Sequence, residues 1–175
     1  GIVSVHEVGL EGESLYIVSD FIAGQSLDKR LATQRSGYRE SAQLCLQIAE
    51  ALDHAHQAGV IHRDLKPSNI MIDQAGELHL MDFGLAKLLQ GGQATMTGAR
   101  AMTPGYSPPE QYGTARTDHR SDLFSLGATL YAALTGMIPE DALARAMDQT
   151  DLTTVRKRNP HVSRRLAGVI EKALA

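Results

Sequence analysis

Between residues 40 and 59 the apolar side chains fall at 45, 48, 49, 52, 55 and 59. Steps of three and four place them on one face of a helix, and Gly59 is a fitting stop. Upstream the pattern differs. SLYIVSDFI (14–22) is a β-branched and aromatic run and predicts a strand. AGQSL breaks it, and Ser26 is placed to N-cap a short helix through about Gln34. IMI (70–72) and ELHLM (77–81) flank DQAG and predict a small hairpin with a four-residue turn. Val60 and Ile61 read as a further short strand-like piece. Residues 88–107 carry Gly, Thr and Pro without periodicity and predict a long loop, a length that is usually functional in a compact domain. Ser121 to Thr135 is apolar nearly all round, the mark of a buried helix, which Gly136 ends and Pro139 follows. Positions 162, 166, 169, 170 and 173 give a last amphipathic helix. Strands come first and helices afterwards, the order of an α+β domain.

Composition narrows the classes. A chain of 175 residues with 43% apolar and 21% charged content is one soluble domain's worth, enough to bury a core. A net charge of −3 lacks the strongly basic face of a phosphate-backbone binder, so no nucleic-acid partner is expected. Cys45 is the only cysteine, cannot form an internal disulfide, and suggests a reducing compartment or simply a core position. The first residues do not read as a signal peptide. The longest apolar run, near 123–134, includes Ser125, Gly127 and Thr129 and falls short of the ~20 residues of a spanning helix. No membrane contact is therefore expected from this segment; the expected location is cytoplasmic, whether or not a longer parent chain carries a membrane anchor elsewhere. His54 and His56 read as structural, and RKR (156–158) and RR (164–165) as solvated faces.

The chemistry concentrates in HRDLKPSN, residues 62–69, just before the hairpin. Asp64, Asn69 and, at the end of the next strand, Asp82 can converge at one loop end. Two acids and an amide are hard oxygen donors, suited to Mg²⁺ shared with phosphate. Lys66 adds a point positive charge for a phosphate oxygen. The remaining carboxylate can orient a hydroxyl or accept its proton. Phosphoryl transfer needs these parts and little covalent chemistry from the protein.

Four motifs in order, HRDLKPSN (62–69), DFG (82–84), TPGYSPPE (103–110) and DLFSLG (122–127), resemble the catalytic lobe of eukaryotic-type (Hanks-type) serine/threonine protein kinases. Lys66, two residues after Asp64, resembles the serine/threonine class, and TPGYSPPEQ looks bacterial. The resemblance implies a protein kinase-like fold and a role for each matching residue. Asp64 would be the catalytic base, Lys66 would steady the γ-phosphate, and Asn69 and Asp82 would hold Mg²⁺ or Mn²⁺. Thr103 would touch Asp64 and Lys66 and help admit a substrate Ser or Thr. Backbone groups of Asp20 and Ile22 would meet the adenine of ATP, Ser26 would line the nucleotide site, and Met71 would form its floor. Ser19 would gate the back of that pocket, which its small size leaves open. Phe83 would pack on His62, Gly84 would permit the backbone that follows, and Asp122 would bond the backbone around His62 and Arg63. Glu110 would be structural. Arg63 would dock a phosphate on the long loop, with Thr95 or Thr97 as the acceptor, modified in trans by another copy.

The sequence also departs from the family pattern. Pro108 replaces the alanine of the usual Ala-Pro-Glu, and Phe124 stands where Trp or Tyr is common. No glycine-rich phosphate loop, VAIK-type lysine or partner glutamate occurs in the 175 residues. GIVSVHEVG resembles the fourth small-lobe strand, and EKALA stops before the arginine that pairs with the Glu110 position. The resemblance thus implies a partial kinase domain within a longer chain. Residues 1–19 would be remnant small-lobe strands, 20–25 the hinge, and 26–175 a large lobe lacking its last helix. Such a piece would be inactive alone. A catalytically inactive kinase-fold scaffold is the alternative. A small-molecule phosphotransferase would not be expected to carry Lys66–Pro67 or TPGYSPPE.

Overall fold

A computed structural model describes residues 1–12, 14–34, 37–83, 102–112 and 117–175. Two antiparallel strands, β1 (Val5–Glu11) and β2 (Ser14–Ser19), form a ribbon. β2 stops short of Ile22: its last paired position is Ser19, opposite Val5, and one further bond, from Asp20 N–H to the Ser4 carbonyl at 3.0 Å, follows before the chain runs on to β3. The ribbon joins the rest through its N-terminal lead. Val3 N–H donates to Leu80 at 2.9 Å, and Leu80 N–H donates back to Gly1 at 2.9 Å.

A second sheet, in the order β3-β4-β5, is antiparallel throughout and comprises β3 (Gly24–Ser26), β4 (Ile70–Asp73) and β5 (Leu78–Leu80). The DQAG turn is fastened by Asp73, whose Oδ1 accepts from Ala75 and Glu77 N–H, each at 2.9 Å. α1 (Leu27–Thr33) follows β3. Ser26 stands at its N-cap as expected, but its side chain makes no capping bond; as the last residue of β3, it is oriented by its pairing with Met71.

α2 (Tyr38–Gln57) buries Leu44, Ile48, Ala51, Leu52 and Ala55 on one face, as its spacing requires. The expected strand at 60–61 is absent. Val60 N–H instead donates to Ala55 at 2.9 Å, finishing the helix end.

α3 (His119–Thr135) is buried along almost its whole length. Asp118 caps it, accepting from Arg120 N–H at 2.8 Å, and Gly136 ends it in the left-handed conformation, φ 70°. The last three helices are α4 (Ala142–Ala146), α5 (Val155–Arg158) and α6 (Arg164–Ala173). In α6 the face toward the core is Ala167 and Ile170, continued by Leu174, whereas Val169 is 61% exposed. The expected stripe was therefore rotated: Val169 follows one residue after Gly168 and lies off the 167–170–174 line. Arg158 is no solvated residue either. Its side chain is 15% exposed, pairs with Glu140 Oε1 at 2.5 Å, and lies 5.4 Å over the Tyr131 ring. Lys157, Arg164 and Arg165 are exposed as expected. Among the described residues no helix is long and apolar enough to cross a membrane.

Two apolar clusters meet at α3. Phe124, Ala128, Tyr131 and Leu134 pack with Val155, Val162 and Ile170, while Leu126 joins Leu27, Ile48, Leu52, Ile70 and Leu80. Cys45, half-buried, touches both, and burial pushes its thiol pKa up. Gly127 permits the close approach of α3 to α6, since a Cβ there would stand 2.8 Å from Ala173 Cβ. Gly127→Val should force these helices apart and destabilise the chain by about 1–3 kcal/mol. A urea midpoint that does not move would show that α6 is not held against α3 at this point.

Candidate active site

Residues 62–69 lie between α2, which ends at Gln57, and β4, closing with a 3-10 turn at Pro67–Asn69. Leu65, 1% exposed, and the buried Pro67 pin this loop to the core. Its backbone is fixed from the first turn of α3. Asp122, fully buried, accepts from His62 N–H through Oδ2 and from Arg63 N–H through Oδ1, both at 2.8 Å. His56 Nε2, as donor, adds a third bond to Oδ2 at 2.7 Å. Arg63 sits at φ 67°, which costs a non-glycine residue about 1–2 kcal/mol. It is held there from both sides, because Gln111 Nε2 donates to its carbonyl at 3.0 Å.

The constrained loop gathers four polar side chains. Asn69 Nδ2 donates to the Asp64 carbonyl at 2.8 Å and to Asp64 Oδ2 at 3.0 Å. Lys66 Nζ lies 3.0 Å from Asp64 Oδ2 and donates to Thr103 Oγ1 at 3.2 Å. Thr103 Oγ1 in turn reaches Asp64 Oδ1 at 3.5 Å. Asp64 and Lys66 are 23% and 25% exposed, so the cluster is open to a ligand yet partly dry. The arrangement can receive a hydroxyl at a carboxylate and set a positive charge beside it.

Asp82 lies two residues beyond the end of β5, not at its end, and is exposed with φ 56°. Met81 N–H donates to the Asn69 carbonyl at 3.0 Å, which brings the 81–82 backbone beside the Asn69 turn. Among the described residues no three His, Cys, Asp or Glu side chains group as a metal site. The chemistry still fits a hard cation: Asn69 spends Nδ2 on Asp64, leaving Oδ1 as an oxygen donor, and Asp82 offers a solvent-facing carboxylate.

The remaining expected residues are spread around this cluster. Phe83 packs on the buried His62 ring at 4.5 Å between centroids. Burial lowers the His62 pKa, against the opposing pull of the Asp122 and Asp64 carboxylates. Glu110 Oε1 accepts from Ser121 Oγ at 2.7 Å. Ser26 and Met71 are cross-strand partners, Met71 half-buried. Asp20 and Ile22 lie on the connection between β2 and β3, where the Asp20 carboxylate pairs with His6 Nε2 at 2.6 Å and is held below its usual range by that bond. Ser19 is exposed at the end of β2. Gly84, Thr95 and Thr97 lie outside the described residues.

Three contributors escaped the sequence, and a fourth, His56, is structural as expected, though its partner was not foreseen. His56 and Gln111 hold the loop, Ser107 Oγ accepts from Thr103 N–H at 3.1 Å, and Asp141 accepts from Gly105 N–H at 3.2 Å. Only Asp141 left a signal, as an N-cap residue just before ALARA.

The family model described as "Protein kinase domain" matches residues 1–175. The chain is 33% identical over 180 residues to serine/threonine-protein kinase PrkC of Bacillus subtilis, covering 99% of this chain and 28% of that protein. It is 34% identical over 181 residues to probable serine/threonine-protein kinase PknB of Lactococcus lactis, covering 99% of this chain and 29% of that one. The chain thus spans under a third of the length of these relatives. A solved chain described as PpkA-294 apo form superposes with a TM-score of 0.80 at 27% identity, over all of this chain and 62% of that one.

Because His62 protonates less readily in the folded chain, the unfolded chain binds more protons at low pH. The His62 contribution to stability should be full above its ordinary pKa of 6.5 and be lost as pH falls below it. Melting temperature followed from about pH 7.5 to about pH 5.5 should drop less steeply in His62→Phe than in the wild type. Parallel profiles would show that His62 is not the group responsible.

Proposed function

The chain belongs to the protein kinase family, and from that membership we propose that the full-length protein is a serine/threonine kinase, transferring the ATP γ-phosphate to Ser and Thr hydroxyls of proteins. The observation that carries this is the convergence of Asp64, Lys66, Asn69 and Thr103 within hydrogen-bond reach of one another. Asp64 orients the acceptor hydroxyl and takes its proton. Lys66, beside it, balances charge that develops on the transferred phosphate. Thr103 bridges the two and borders the acceptor. Asn69 Oδ1 and the Asp82 carboxylate are the oxygen ligands for Mg²⁺ or Mn²⁺, which when bound neutralises phosphate charge. Backbone groups of Asp20 and Ile22 meet adenine, with Ser26 and Met71 lining the same site. The rest of the nucleotide site comes from residues outside these 175, with 1–19 as small-lobe strands, 20–25 as hinge and 26–175 as the large lobe. The protein works in the cytoplasm on protein substrates, one of them a second copy of itself.

Asp64→Asn in the full-length protein should lower kcat by about 10²–10⁴-fold with ATP affinity retained. Asp82→Ala should weaken Mg²⁺–ATP binding as well as turnover, because a cation ligand is lost. Comparable turnover in Asp64→Asn would remove the base assignment, whereas absence of turnover in the wild type would favour a scaffold role.

Arg63 is the docking point for a phosphate on the 88–107 stretch, where an added charge of about −1.5 to −2 at pH 7 can pair with a guanidinium. Thr97, then Thr95, is the expected acceptor, modified in trans. Mass spectrometry of active protein should find phosphate there, and the Thr95→Ala, Thr97→Ala double variant should lose activity. Full activity in that variant, with no phosphate on either threonine of the wild type, would exclude this switch.

A further inference from the structure

The stretch 103–112 carries Thr103 and is gripped at two points by one oxygen atom. Asp141 Oδ2 accepts from Gly105 N–H at 3.2 Å and from Tyr112 Oη at 2.5 Å. Its other oxygen, Oδ1, accepts from Leu143 and Ala144 N–H at 3.0 and 3.2 Å and starts α4. One oxygen therefore begins a helix while the other closes the chain from 105 to 112 into a ring. Burial alone would raise the Asp141 pKa, but the bonds from Tyr112, Ala144, Gly105 and Leu143 outweigh it and hold the carboxylate below its usual range. The Tyr112 hydroxyl is pushed up, by burial and by this bond, so the pair is a neutral donor on a charged acceptor.

The ring also lies hard against the segment that precedes α4. Gly105 has φ 80°, and a Cβ there would stand 2.3 Å from Ile138 Cγ2 and 2.8 Å from the Pro139 carbonyl. Stiffness passes from this anchor to Thr103, whose carbonyl accepts from Tyr106 and Ser107 N–H, both at 3.0 Å. Thr103 touches Asp64 and Lys66, and Gln111, beside Tyr112, holds the Arg63 carbonyl. Both ends of the ring thus bear on the 62–69 loop.

We infer that Asp141 is a positioning residue for the phosphoryl acceptor. It keeps Thr103 at Asp64 and gives a hydroxyl-bearing peptide a fixed surface to lie on. The inference rests on the protein kinase assignment and concerns the acceptor side of that site.

Asp141→Asn in the full-length protein separates the two oxygens, because asparagine caps a helix as well as aspartate but offers no charged acceptor to Gly105 and Tyr112. The KM for an acceptor peptide should rise about tenfold, while the KM for Mg²⁺–ATP moves less than about twofold. Amides of 104–112 should exchange faster, with those of α3 unchanged. Tyr112→Phe should act in the same direction but less, and the double variant should fall short of the sum. Peptide and ATP KM values rising together, or neither moving while exchange stays at the wild-type rate, would overturn the inference. A wild-type protein that phosphorylates no peptide would instead overturn the kinase assignment, and the exchange rates of 104–112 would still decide whether Asp141 clamps the ring.

Discussion

A buried carboxylate accepting two backbone N–H groups organises this molecule. Asp122 has no access to water and bonds His62 and Arg63 N–H and His56 Nε2. Hydrogen bonds to a charged group contribute about 1.5–3 kcal/mol each. Those bonds work against the left-handed backbone of Arg63, which costs about 1–2 kcal/mol. Without Asp122, two buried donors would be stranded and the loop would relax toward ordinary backbone angles. Asp64 follows Arg63 directly, so the direction of its carboxylate depends on that backbone.

The remaining site geometry builds outward from this point. Asn69 ties the far end of the loop back to Asp64, and Lys66 and Thr103 close the near side. Gln111 and Ser107 tie the 103–112 stretch to the loop and to itself. The ties from Lys66 to Thr103 and from Gln111 to Arg63 cross between segments 37 and 48 positions apart, so the cluster keeps its shape only while the 62–69 loop and that stretch are both in place. This is preorganisation in a specific sense: the polar groups are oriented by the folded backbone before any ligand arrives.

The periodic parts of the fold were legible in the sequence. α2 followed from apolar spacing, α3 from a run apolar nearly all round, the hairpin from IMI-DQAG-ELHLM, and the 62–69 cluster from ordered motifs. What escaped was the pairing of single polar residues with partners far along the chain. His56 and Asp122 are 66 positions apart, Gln111 and Arg63 are 48 apart, and Asp141 and Gly105 are 36 apart. Periodicity tells which face of a helix turns inward, not which distant atom it will meet. Arg158 misled by residue type, since its partners Glu140 and Tyr131 become neighbours only after α3 and the loop beyond it are packed. Val169 misled because an apolar residue at the flank of a stripe fits two rotations of the same helix.

α3 is a wall shared by both apolar clusters, with Leu126 on one side and Phe124 and Tyr131 on the other. Its first turn carries Asp122. Among the described residues, neither apolar cluster can therefore melt away and leave the 62–69 loop standing. Loss of the α5–α6 packing exposes one side of α3, and the same helix then ceases to support the other cluster. A partly unfolded intermediate with an intact loop is disfavoured on these grounds, and the lifetime of the loop's ordered form becomes that of the whole cooperative unit.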